Sequence, residues 1–360
     1  MTTTPSPRKP RHLLRRVHDH ARELGLAGLV SLAMILGIFF VGVVRDNLEL
    51  EHKEVAFGAT FSKKYAEFLG LDWKTVYAAL LEDLQVKKIR IPAYWDDIEP
   101  EPGVYSFSTV DWQIDQAERH GATVVLAIGR KLPRWPECYS PQWAKGLDES
   151  LLKTRILSMI EAVVKHYKKR AIITAWQVEN EPFFAFGECP PPDRDFLKHE
   201  VAVVRALDFR PVIITESGEL STWLDAAGIA DIVGISTYRT VWNRFVGYFY
   251  WPITPSAYQR RADQVNSLVD KIIITELQAE PWFGSSTAST SPLADQLKLM
   301  NPDRLAQNIS FARRIGFSEV YLWGVEWWYW LKQNGHPEMW DAGRTFLRSI
   351  NAIGGRPNAP

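Results

Sequence analysis

Short apolar runs alternate with amphipathic stretches along most of this chain. The runs cover 55–61, 88–92, 123–129, 172–178, 211–215, 231–237, 271–275 and 319–323. Continuous apolar runs of this length, without polar alternation, are what strands buried on both faces of a parallel sheet require. Between them, helical spacing predicts helices over 73–86, 109–120, 149–169, 193–207, 256–269, 302–315 and 341–350. Gly121 and Gly316 stand where helix C-caps belong. Strand–helix units repeated along about 300 residues predict a (β/α)8 TIM barrel over 54–360 rather than an open doubly wound sheet. The turn after the first strand, Gly58-Ala59-Thr60-Phe61-Ser62, is no phosphate-binding fingerprint.

One apolar stretch is too long for this scheme. Residues 24–44 carry no charged side chain, and at about 1.5 Å per residue a helix there spans roughly the 30 Å of a bilayer core. Arg8, Lys9, Arg11, Arg15, Arg16 and Arg22 precede it, and Arg45, Asp46, Glu49 and Glu51 follow. The asymmetry predicts a single N-terminal transmembrane helix, with a basic cytoplasmic tail (1–23), an anchor (24–44), a tether (45–53) and the barrel outside the cytoplasm. The expected partner of 24–44 is the lipid bilayer. The formal net charge is +0, so nothing global points to nucleic acid. Cys138 and Cys189 fall in the loops after strands three and four, where an oxidising compartment permits a disulfide. No Cys/His spacing suggests a metal, and no cofactor is implied.

The candidate chemistry lies at two strand ends. Trp176-Gln177-Val178-Glu179-Asn180-Glu181-Pro182 closes strand four, and Ile272-Ile273-Ile274-Thr275-Glu276 closes strand seven. Barrel active sites sit at the C-terminal ends of the strands. Two carboxylates facing one another there match glycoside hydrolysis, in which one acid protonates the leaving oxygen and one carboxylate meets the sugar carbon. Aromatic residues crowd the strand-end loops: Trp135, Trp242, Phe245, Tyr248, Phe249, Tyr250, Trp251, Trp282 and Trp327-Trp328-Tyr329-Trp330. Flat rings at such positions are expected as sugar-stacking platforms. Asp96, Glu216 and Glu326 are further strand-end acids, expected to form salt bridges or bind substrate.

With glutamates after strands four and seven, residues 54–350 resemble glycoside hydrolase clan A, the retaining barrel hydrolases that include cellulase-like and β-galactosidase-like members. The segment Trp95-Asp96-Asp97-Ile98-Glu99-Pro100-Glu101-Pro102-Gly103-Val104-Tyr105-Ser106-Phe107 is similar to a stretch found in several of its families. The resemblance implies Glu181 as acid/base, Glu276 as nucleophile and Asn180 as a partner of the sugar 2-hydroxyl. It further implies Arg90 and Tyr238 beside the nucleophile and Trp323 as floor of the innermost sugar subsite. Trp95, which opens the similar stretch, and Trp282, from the loop aromatics, are also expected among the substrate contacts. Clan members often carry His near the end of strand three, where this chain reads Ile128-Gly129-Arg130-Lys131. The expected substrate is a β-linked oligosaccharide or polysaccharide. Transglycosylation would use the same site, and a glycan-binding barrel without turnover is the alternative of another class.

Overall fold

A computed structural model describes residues 55–284 and 286–354. The chain divides into two compact units, 1–51 and 52–360, and every described residue belongs to the second. The expected tail, anchor and tether therefore lie outside the described residues. Among the described residues no helix is long and apolar enough to cross a membrane.

The eight-stranded parallel barrel expected from the sequence is present. Its strands are β1 (Ala56–Thr60), β2 (Lys88–Pro92), β3 (Thr123–Ile128), β4 (Ile173–Val178), β5 (Val212–Ser217), β6 (Ile232–Thr237), β9 (Lys271–Gln278) and β10 (Glu319–Trp323). They close in the order β1-β10-β9-β6-β5-β4-β3-β2. An antiparallel hairpin, β7 (Thr240–Asn243) and β8 (Gly247–Tyr250), fills the connection after β6. Sequence periodicity missed this hairpin, because eleven aromatic-rich residues with one Gly read equally well as a loop. Gly121 and Gly316 do follow helices with left-handed backbone, at φ 62° and 80°.

Side chains alternate across a strand, so every second residue enters the barrel. Lys88 and Lys271 both pair with Glu319 at the lower end, where the strands begin. Above them Val125, Ala175, Ile213, Ile232, Ile273 and Tyr321 form an apolar layer. Gln177 and Thr215 follow two residues further along β4 and β5, and Arg90 follows two residues beyond Lys88 on β2, all buried. On β9 strict alternation would send Glu276 outward, toward the helices. Instead the register slips against both neighbours: Ile235 and Ser236 pair with Ile274 and Glu276, while Val320 and Leu322 pair with Ile274 and Leu277. One extra residue in β9 is a bulge, and it turns Glu276 and Gln278 back into the barrel.

Candidate active site

Glu276 is buried at 3% exposure, so its charge needs partners. Arg90 Nη1 donates to its Oε1 at 2.9 Å and the Tyr238 hydroxyl to its Oε2 at 2.8 Å. Arg90 is itself fixed on every side. Its Nε donates to Gln177 Oε1 at 2.6 Å and its Nη2 to Asn180 Oδ1 at 2.7 Å. Gln177 Nε2 and the Thr215 hydroxyl also donate to Asn180 Oδ1, at 3.2 and 3.3 Å. Three donors on Oδ1 leave the Asn180 Nδ2 amide to donate elsewhere.

Glu181 follows in a strained turn, with Glu179 at φ 57° and Glu181 at φ 44°. Left-handed backbone is costly for residues with a Cβ and persists only when its surroundings enforce it. Here the enforcement is visible. The Glu181 N–H donates to Thr215 Oγ1 at 2.7 Å, and Lys131 Nζ donates to the Glu181 carbonyl at 2.9 Å and the Phe184 carbonyl at 2.6 Å. The Glu179 carboxylate accepts the N–H groups of Arg130 and Lys131, at 2.6 and 2.5 Å. A Cβ on Gly129 would lie 2.3 Å from Glu179 Oε1, so glycine at 129 admits this brace. The space beside Gly129 is therefore filled by the Glu179 carboxylate, which follows β4.

Burial and the charge of Glu276 push the Glu181 carboxyl up to about 8. Glu181 is then protonated at neutral pH, beside a partner held by a guanidinium and a phenol. Glu219, pushed up to about 7 by burial, holds the Tyr238 N–H and the Tyr258 hydroxyl and supports this wall.

The expected aromatic contacts divide. Trp282 stands edge-on to Tyr238, ring centres 5.2 Å apart, and continues through Phe186 (6.0 Å) to Trp135 (5.8 Å further), which is 62% exposed. Trp323 lies 6.4 Å from Tyr238, but the Arg134 guanidinium covers one of its faces at 3.9 Å. Trp95 is fully buried and donates to Glu99 Oε2 at 2.7 Å, so its ring offers no face to a sugar. Trp327 and Trp328 are also fully buried, in the helix Val325–Gln333, with Nε1 groups donating to Gln296 and the Ala279 carbonyl. These rings pack the core rather than forming platforms. Asp96 pairs with Lys64 at 2.9 Å, and Glu216 is buried in β5.

The loop after β3 holds what the sequence did not disclose. Arg134 is sandwiched between Tyr65 and Trp323 and pairs with Glu280 and with Glu326, the latter at 3.0 Å. Glu137, 5% exposed, has Lys131 Nζ 3.4 Å from its Oε2. Burial lifts its carboxyl well above the ordinary range; Lys131 opposes this, and Glu181 and Glu276 add to it. Cys138 and Cys189 form a disulfide that joins this loop to the one after β4. Among the described residues no group of His, Cys, Asp and Glu is arranged to hold a metal.

A closed parallel barrel with buried glutamates after its fourth and seventh strands defines the class: the chain resembles glycoside hydrolase clan A. Residues 72–208 match a family described as Beta-galactosidase. Two solved structures carry the same fold. One is a β-galactosidase from Halorubrum lacusprofundi, with 15% identity, TM-score 0.57, and coverage of 85% of this chain and 59% of that one. The other is xylanase 10B from Thermotoga petrophila in complex with xylobiose, with 16% identity, TM-score 0.52, and coverage of 75% and 82%. The chain thus spans well under two thirds of the β-galactosidase it matches.

Proposed function

We propose that this protein is a retaining glycoside hydrolase that cleaves a β-linked glycan, with Glu276 as nucleophile and Glu181 as acid/base. The observation that carries the reading is the different surroundings of the two carboxyls. Glu276 receives hydrogen bonds from Arg90 and Tyr238, which hold both of its oxygens in place. Glu181 is kept protonated by burial and by the charge of Glu276. Double displacement needs this division of labour: one carboxylate attacks while one acid protonates the leaving oxygen, and the acid then serves as base toward water. The Asn180 Nδ2 donor is suited to the sugar 2-hydroxyl, a contact that strengthens in the transition state.

The proposed setting is outside the cytoplasm, with residues 24–44 as anchor. The charge asymmetry around that segment supports it, as does a disulfide beside the site.

The test is chemical rescue. Glu276→Ala should lose at least about 10³-fold in turnover of an aryl β-glycoside and regain part of it with azide, yielding an inverted glycosyl azide. Undiminished hydrolysis by this variant would refute the assignment. Glu181→Ala should spare activated aryl leaving groups relative to natural glycosides; equal losses on both would remove Glu181 as the acid.

A further inference from the structure

Glu200 is a buried carboxyl for which the proposed double displacement has no use. It lies on the helix Arg194–Leu207, which follows β4 in the chain and packs against β4 and β5. The buried side chains of that helix are Leu197, Glu200, Val201 and Val204. Their spacing is that of an apolar stripe facing a core, and the glutamate is its one polar member. At 2% exposure Glu200 has lost its water. An ionised carboxylate there would need a cation or several donors. Among the described residues it has neither. The charges acting on it are those of two acids, Glu179 and Asp193, and its Oε1 has no hydrogen-bond partner in the protein.

Its one polar contact is a hydrogen bond with the Glu179 carboxyl. Two carboxyls bond to each other only when one of them carries a proton. Their surroundings decide which one. Glu179 accepts the Arg130 N–H on Oε1 and the Lys131 N–H on Oε2, and donors on both oxygens favour the ionised form. Glu200 has no such donor, so the proton stays with it. Burial lifts the Glu200 carboxyl well above the ordinary range, and the charge of Glu179 and the bond to it add to the rise. Burial also raises Glu179, but the bond from Glu200 and the two N–H groups oppose this.

The pair stands directly behind the acid. Glu179 lies two residues before Glu181 in the left-handed turn, and its carboxylate ties that turn to the end of β3. Lys131, held there through its N–H, returns its Nζ to the Glu181 carbonyl. Resting on the hydrolase reading, we propose that Glu200 is a positioning residue for the acid/base: its neutral carboxyl donates to Glu179 and so locks the turn that aims Glu181. Without that donor the Glu179 carboxylate loses one of its three bonds in a buried site, and the turn loosens where small displacements cost rate.

The experiment compares full-length wild type, Glu200→Gln and Glu200→Leu on β-glycosides of glucose, galactose or xylose, whichever wild type cleaves fastest. Each sugar carries either a dinitrophenyl or a methyl leaving group, and only the methyl glycoside needs its leaving oxygen protonated. Glu200→Leu fills the space without a donor. It should lower kcat/KM on the methyl glycoside about 10–100-fold and on the dinitrophenyl glycoside by no more than about threefold. Glu200→Gln keeps a donor and should stay within about threefold of wild type on both. A merely structural role would not separate the two leaving groups. Glu200→Asp, whose carboxyl stops one methylene short, should show the Glu200→Leu pattern in weaker form, and it carries the test if Glu200→Leu does not fold. The proton is read separately by infrared spectroscopy at pH 7, where the protonated-carboxyl band should lose intensity in Glu200→Gln. Equal losses on both leaving groups, wild-type rates in Glu200→Leu and Glu200→Asp, a Glu200→Gln as damaged as Glu200→Leu, or an unchanged infrared band would overturn the inference and leave the hydrolase reading standing. If Glu181→Ala itself shows no leaving-group dependence, or wild type cleaves no glycoside, the hydrolase reading falls and this role falls with it.

Discussion

At the residue scale, the Glu181 carboxyl links pH to both rate and stability. As the proposed acid, Glu181 must be protonated in the free enzyme, so kcat/KM should fall as pH rises through about 8. A pH profile checks this, and a rate still rising at pH 9 would contradict it. Folding follows the same proton. The folded value is raised above the ordinary 4.5, so the native state binds more protons than the unfolded chain between about 4.5 and 8. Stability is therefore lost as pH climbs through that window. Glu181→Gln should leave stability unchanged at pH 4 and raise it at pH 8 by on the order of 1–4 kcal/mol, measured by denaturant melts. Lys131 gives a second residue-scale prediction. Lys131→Met removes the donor that holds the Glu181 and Phe184 carbonyls. It should lower kcat about 10–100-fold with a smaller change in KM, because it loosens the acid rather than a sugar contact. A pure KM effect would count against that role.

At the scale of elements, what could be read from the sequence and what could not follow one rule. The eight strands were legible because a strand buried on both faces must be apolar throughout. Glu181 and Glu276 were legible because each ends such a run. Trp95, Trp327 and Trp328 misled, since a ring near a strand end looks the same in sequence whether its helix is packed inward or its loop lies open. Arg134 and Glu137 could not be placed from sequence at all. Their positions depend on a left-handed loop clamped to a partner loop 51 residues away in sequence. The closest available sign was the Cys138–Cys189 pair, which marked two loops as neighbours without saying which side chains the clamp would aim. The disulfide should therefore matter to heat and to rate together. Replacing both cysteines with Ala should cost about 2–4 kcal/mol, seen as a Tm lower by several degrees, and reduce kcat/KM in the same variant. An unchanged Tm would mean that the loops hold their places without it.

Across the whole molecule, the two ends of the barrel carry different burdens. Glu319 joins Lys88 and Lys271 where the strands begin, while the glutamate pair sits where they end. Glu319→Gln leaves two lysines facing each other without their carboxylate. It should destabilise by about 1–3 kcal/mol while kcat/KM on an aryl glycoside stays within about twofold of wild type. A large loss of activity at full stability would show that the ends are not independent.

The bulge in β9 also draws a boundary useful for engineering. Up to Ile274, the residues of this strand answer to the close packing of the barrel; from Glu276 onward, they answer to chemistry. A strand end grafted from another barrel would bring its glutamate inward only if the joined strand still held one extra residue at this point, supplied by host or graft. With that residue trimmed, the same sequence would present its carboxylate to the surrounding helices, and a flawless copy of the motif would be inert.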